Sequence, residues 1–123
     1  MLVVLAVASF GALGALVRFG VSRVMGTGAF PYSTLVVNLL GSFFIGYIFF
    51  TFQEGGRFFE WPTWVKTGVA VGFLGALTTF STFSLDSLRL FMAGAMGLGL
   101  LNLFAHNLLC LSFCYAGWKL GQF

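Results

Sequence analysis

Charge is what this chain has least of. Only 7% of its 123 residues are charged, against roughly a quarter in soluble domains. Three residues are acidic: Glu54, Glu60 and Asp86. This scarcity excludes whole classes of protein. A water-soluble fold of such composition would expose large apolar patches and aggregate. The six basic residues give a net charge of +3 but form no run, so nothing supports nucleic-acid binding. No carboxylate pair, nucleophile–base set or glycine-rich phosphate loop is present, so no enzyme constellation appears. Cysteine is scarce too. Cys110 and Cys114 lie four apart in an apolar run, where they share a helix face without meeting in disulfide geometry. The single histidine, His106, falls far short of a zinc site.

What the chain does have is hydrocarbon, with 59% of its residues hydrophobic. A membrane-spanning helix needs about 20 mostly apolar residues. Four segments qualify, at about 2–24, 32–52, 66–86 and 91–120. They predict one all-α integral membrane domain. No basic region precedes Leu2 and no cleavage pattern follows the first apolar run, so that run is expected to be a permanent span. Gly11, Ala12, Gly14 and Ala15 give it a small-residue face for close packing. Gly26-Thr27-Gly28 reads as a turn, and Pro31 as the opening of the second helix. Trp61 and Trp64 suit the interfacial belt.

If the helices alternate across short loops, Arg57, Lys66 and Lys119 share one side, and Arg18, Arg23 and Arg89 the other. Three against three gives no positive-inside bias. Two outcomes follow. The chain inserts both ways and pairs as an antiparallel dimer, or Arg18 and Arg23 or the free amino terminus fix one orientation.

The third span is unlike the others. Gly72-Phe-Leu-Gly-Ala-Leu-Thr-Thr-Phe-Ser-Thr-Phe-Ser84 puts two glycines and five hydroxyls where plain hydrocarbon would serve. Gly75 and the hydroxyls predict a local break, because hydroxyls satisfy the backbone groups a break frees. Irregular backbone at membrane depth is tolerated inside protein or beside a water-filled path, so this stretch is the first candidate for a binding or conduction site.

The other polar residues each have a functional and a structural reading. Asn38 offers an amide without a formal charge, suited to a transient anion site, or it is packing glue between helices. Phe80 and Phe83, three apart, present ring edges to an anion, or simply pack. Asn102, His106, Cys110 and Cys114 recur every four residues. They form one stripe that lines a polar path or makes interhelical hydrogen bonds. Arg18 neutralises an anion near a vestibule or snorkels to headgroups.

Taken together, Gly11-Ala-Leu-Gly-Ala-Leu-Val-Arg18, Asn38-Leu-Leu-Gly41 and the Gly72–Ser84 stretch resemble the small fluoride channels of the Fluc (CrcB) family. The resemblance covers the whole chain, and the Thr-Thr-Phe-Ser-Thr-Phe-Ser run is its most specific part. It implies four spans with a broken third helix, arranged as an antiparallel dual-topology homodimer. It implies passive, selective fluoride export across the cytoplasmic membrane of a microbe, giving fluoride resistance. It also implies a structural sodium ion at the dimer centre, held by backbone carbonyls of Gly75 and Thr78. Asn38, Phe80 and Phe83 map onto pore positions, and Arg18 onto a pore entrance. Ser81 or Thr82, His106, Cys110 and Cys114 map onto a hydroxyl-bearing track. The two cysteines depart from the Ser or Thr usual there, and a thiol is the poorer hydrogen-bonding group.

The alternative is a small dual-topology multidrug exporter. Such a carrier needs an ionisable carboxylate inside the membrane, and the first span has none. A non-transporting assembly subunit would not need the clustered hydroxyls of the third span.

Overall fold

The computed structural model describes residues 1–26 and 28–123, so Thr27 of the expected turn lies outside the described residues. The elements are α1 (Leu2–Met25), α2 (Tyr32–Thr51), α3 (Thr63–Thr67), a π-helical segment (Gly68–Leu74), α4 (Gly75–Leu77), α5 (Phe80–Met92) and α6 (Met96–Gly121). Four helical stretches are long and apolar enough to cross a membrane: Leu2–Met25, Tyr32–Thr51, Thr63–Met92 and Met96–Gly121. Their outward faces carry large apolar side chains, among them Leu16, Phe49, Phe104 and Leu111, as contact with lipid tails requires.

The third span starts before Lys66 and runs past Asp86 to Met92. Asp86 does not end it, because the carboxylate is held inside the protein, where Thr34 Oγ1 donates to Oδ2 at 2.8 Å. The stop comes at Gly94, whose φ of 74° lies in the left-handed region that glycine tolerates. The N–H of Ala95 closes that turn on Leu90 O at 2.9 Å. Pro31 lies one residue before α2 rather than inside it.

Backbones approach closely at two seams. In the first, α1 lies against the π-helical segment. A Cβ on Gly14 would fall 2.2 Å from Phe73 O, and one on Gly72 would fall 2.8 Å from Val7 O. The small face of α1 is used here, as close packing without side chains demands. Gly14→Ala, whose new Cβ would strike facing backbone as one at Gly46 would, is expected to lower the thermal unfolding midpoint in detergent by about ten degrees or more. Gly20→Ala, which meets nothing within 4 Å, leaves it unchanged. In the second seam α2 lies along α6, with Gly46 against the Cys114 carbonyl and Gly117 against the Phe43 carbonyl.

The 53–62 connection is pinned by Lys66. Its ammonium donates to the carbonyls of Phe52 and Phe59 and stands 4.9 Å from the Phe59 ring centroid. Trp61 packs on Phe58 at 4.5 Å between centroids. The result is an amphipathic cap of the kind that sits in headgroups.

Candidate ion pathway

The helical part of the third span stops at Leu77 and resumes at Phe80. Thr78 and Thr79 between them are extended, at φ −81°, ψ 156° and φ −154°, ψ 116°. The break therefore falls at the threonines rather than at Gly75, which keeps helical angles of −64° and −33°. Physics favours this placement. β-Branched residues suit extended backbone, and a threonine hydroxyl caps the helix that follows.

Each backbone group that the break exposes has to be answered locally, since lipid offers nothing. Thr78 N–H and its hydroxyl both donate to Leu74 O, each at 3.0 Å. Thr79 N–H donates to Asn38 Oδ1 at 2.8 Å, and Asn38 Nδ2 donates back to Thr79 O at 3.1 Å. One buried side chain of α2 thus holds both backbone groups of Thr79. Thr79 Oγ1 accepts from Thr82 N at 3.1 Å and lies 3.0 Å from Thr82 Oγ1 and 3.2 Å from Ser81 Oγ. The methyl of Thr78 fills the space over Gly41, where a Cβ would fall 2.1 Å from it. Asn38 and Gly41 together grip the break from α2.

This wiring leaves the carbonyls of residues 75–78 without their helical amides, those of Gly75 and Thr78 among them. In an unbroken helix Thr79 N–H would bond Gly75 O, and Thr82 N–H would bond Thr78 O. Here those amides go to Asn38 Oδ1 and Thr79 Oγ1. Backbone oxygens freed in this way are neutral groups of the type that can serve a hard cation. Gly75 is exposed on the surface of the single chain. Among the described residues, no group of three or more His, Cys, Asp or Glu gathers to hold a metal.

Two cavities flank the break, and Thr79 lines both. The first, of about 510 Å³, is lined by Arg18, Thr34, Thr82, Asp86 and Arg89. Asp86 accepts from Thr34 and lies 4.0 Å from Arg89 Nη1. Two guanidiniums against one carboxylate leave this vestibule positive, which concentrates anions. The second, of about 500 Å³, is lined by Asn38, Ser42, Phe80, Phe83, His106 and Cys110. No carboxylate, lysine or arginine lines it, and two aromatic rings do. The Phe80 and Phe83 rings stand 5.3 Å apart at 56°, and Phe83 lies 4.4 Å from the His106 ring. Phe83 is 5% exposed and Phe80 76%.

The α6 stripe divides along its length. Asn102 is fully buried and Nδ2 donates to Ser87 Oγ at 2.9 Å. Ser87 in turn donates to Phe83 O at 2.8 Å. His106 and Cys110 line the second cavity. Cys114 is half-buried where α6 meets Gly46. Ser81 and Thr82 lie exposed beside Phe80 on α5, and Thr82 lines the first cavity.

Sequence reasoning did not single out Thr34, Thr79, Asp86 or Arg89 as site residues. Asp86 had a usable signal. It follows Thr82 by four residues, and so shares a helix face with the hydroxyl cluster.

The same chain can be placed by comparison. A family model described as "CrcB-like protein, Camphor Resistance (CrcB)" matches residues 5–118. A protein named "Fluoride-specific ion channel FluC" from Magnetococcus marinus is 44% identical over 119 residues, covering 94% of this chain and 94% of the relative. A namesake from Shewanella amazonensis is 41% identical over 121 residues, covering 95% and 94%. Another from Aeromonas salmonicida is 44% identical over 117 residues, covering 93% and 91%. Identity of this order from end to end, over a helix broken at its hydroxyl cluster, leaves one conclusion: the chain is a member of the CrcB family.

Proposed function

We propose that this chain is a fluoride-selective channel, through which fluoride leaves a microbial cell passively across its cytoplasmic membrane. The observation that carries the reading is that the broken third span, at Thr79, lines a positive cavity on one side and an uncharged, aromatic one on the other. Fluoride holds water tightly, so a path must replace hydration with donors that do not trap the ion. Arg18 and Arg89 draw the anion into the first cavity. The hydroxyls of Ser81 and Thr82 replace the first waters. Asn38 gives one amide hydrogen to Thr79 O, and its second is free to face the ion. The edges of Phe80 and Phe83 supply weak positive potential further along, followed by His106 and Cys110. Every group after the vestibule is neutral, which keeps binding weak enough for release.

The working unit is a pair of antiparallel copies. Phe80, Ser81, Thr82 and Ser84 lie exposed within a membrane span. Hydroxyls on a lipid-facing surface are costly, and a second copy laid over this face covers them. The balanced basic residues support insertion in both directions. A sodium ion between the copies would be held by the released carbonyls of Gly75 and Thr78 from each. Its charge would offset the carbonyl dipoles that the two breaks bring together. The multidrug-exporter alternative is disfavoured, because the one carboxylate near the site, Asp86, is held by Thr34 and accompanied by Arg89.

The test is substitution of the ring pair. Phe83→Ile keeps bulk but removes the polarised edge, and the same holds for Phe80→Ile. Each is expected to slow fluoride efflux from proteoliposomes about tenfold or more, the factor equivalent to about 1.4 kcal/mol. The dimer should be retained on size exclusion. Unchanged efflux in both variants would contradict an aromatic contact with the ion.

A further inference from the structure

Phe83 is the ring of the pair that the protein buries, and two routes from it end at Asn102. The first runs through the backbone. Phe83 O accepts from Ser87 Oγ at 2.8 Å, and Ser87 Oγ accepts from Asn102 Nδ2 at 2.9 Å. A serine hydroxyl has one proton. With that proton on Phe83 O, its oxygen can only accept from Asn102, so the direction of the chain is fixed. The second route runs through the ring. Phe83 lies 4.4 Å from the His106 ring, with the planes at 38°. His106 Nδ1 lies 3.1 Å from Asn102 O. A carbonyl oxygen only accepts, so that contact places the ring proton on Nδ1. Asn102 thus closes a circuit between α5 and α6, with its side chain on one arm and its main chain on the other. Asn102 is fully buried and Ser87 nearly so, and neither lines either of the two cavities. Asn102 Oδ1 has no partner among the described residues, a cost that an apolar side chain would avoid. What the amide supplies is its donor.

We infer that Asn102 is a positioning residue for the ion path: through Ser87 it fixes where α5 sets the Phe83 ring in the second cavity, and so sets the rate of fluoride passage without touching the ion. Among the described residues, its donor makes the one side-chain hydrogen bond between α5 and α6. The bond from Ser87 to Phe83 O lies within α5 and ties nothing to α6. The edge and the face of an aromatic ring carry opposite potential, so a ring that turns or shifts offers an anion less of its edge. The effect on rate rests on the fluoride-channel reading, whereas the placing of the ring does not.

Asn102→Leu and Ser87→Ala each remove the tie. Each should slow fluoride efflux from proteoliposomes about fivefold, the factor equivalent to one buried hydrogen bond. The double variant should be no slower than the slower single one, because both break the same connection. The ring itself is read separately, by fluorine NMR of purified protein carrying 4-fluorophenylalanine in place of Phe83. That resonance should move in both variants. A label in place of Phe104, which lies exposed on the outward face, should not respond. A Phe83 resonance that stays put in both variants overturns the positioning. A moved resonance with unchanged efflux overturns its bearing on conduction. Losses that multiply in the double variant overturn the single connection. Ser87→Ala only shortens a side chain, and it carries the test by itself if Asn102→Leu does not fold. Lack of any efflux from the parent protein counts against the channel reading alone, and the resonance still decides how the ring is placed.

Discussion

Gly117→Ala is expected to remove most folded protein, and Gly46→Ala to do nearly the same. A Cβ at Gly117 would fall 1.9 Å from Phe43 O, and one at Gly46 would fall 2.0 Å from Cys114 O. Overpacking costs about 1–3 kcal/mol where side chains can shift aside. Here the obstacle is the backbone of a facing helix, so α2 and α6 must separate along the seam. Each glycine meets the other helix's main chain, and neither movement relieves the other. The cost therefore lies at or above the top of that range, a large share of a stability of order 5–15 kcal/mol. Gly97→Ala sits on the same α6 helix with nothing within 4 Å and serves as the control. Thermal unfolding in detergent, followed by the monodisperse peak on size exclusion, checks all three. A Gly117→Ala protein as stable as the control would mean that the two helices do not meet as described.

The second large effect is expected at Asn38. Its amide oxygen and nitrogen answer the N–H and the carbonyl of Thr79. Asn38→Ala leaves both groups without a partner at membrane depth. Each unsatisfied buried group costs about 1–3 kcal/mol, so the break loses about 2–6 kcal/mol of local support. The population holding the correct break should fall roughly thirtyfold or more, at 1.4 kcal/mol per factor of ten. Fluoride efflux should fall with it. Asn38→Asp keeps an acceptor for Thr79 N–H but loses the donor to Thr79 O, and it places a carboxylate in the anion path. It should conduct no better than Asn38→Ala while unfolding at a higher temperature. Comparing midpoint and flux across the pair separates the clamp from direct contact with the ion.

Much of this was legible before any coordinates. The four spans follow from hydropathy, because lipid leaves a helix few alternatives. The broken third span follows from a hydroxyl cluster that plain hydrocarbon packing would not use. The place of the break was less accessible. Glycine marks permissive backbone, but Gly75 remains helical and the threonines extend. What decides is a partner 41 residues away, Asn38, and a single sequence does not display such pairings. The end of the third span was obscured for the same reason. Asp86 looks like an interfacial charge until Thr34 is seen to hold it. The π-helical segment leaves little trace in sequence beyond Gly68 and Gly72, which let α1 approach. The tautomer of His106 depends on one contact with Asn102 O and on nothing in the local pattern.

The central claim is selective conduction of fluoride, and one measurement addresses it directly. Purified protein is reconstituted in liposomes loaded with fluoride, and loss of the ion is followed with a fluoride electrode. The same vesicles are then loaded with chloride. The account predicts rapid loss of fluoride and negligible loss of chloride, because neutral donors at the break replace the hydration of the small ion and fit the larger one poorly. Comparable loss of both ions, or no loss of fluoride from correctly folded dimers, would contradict it.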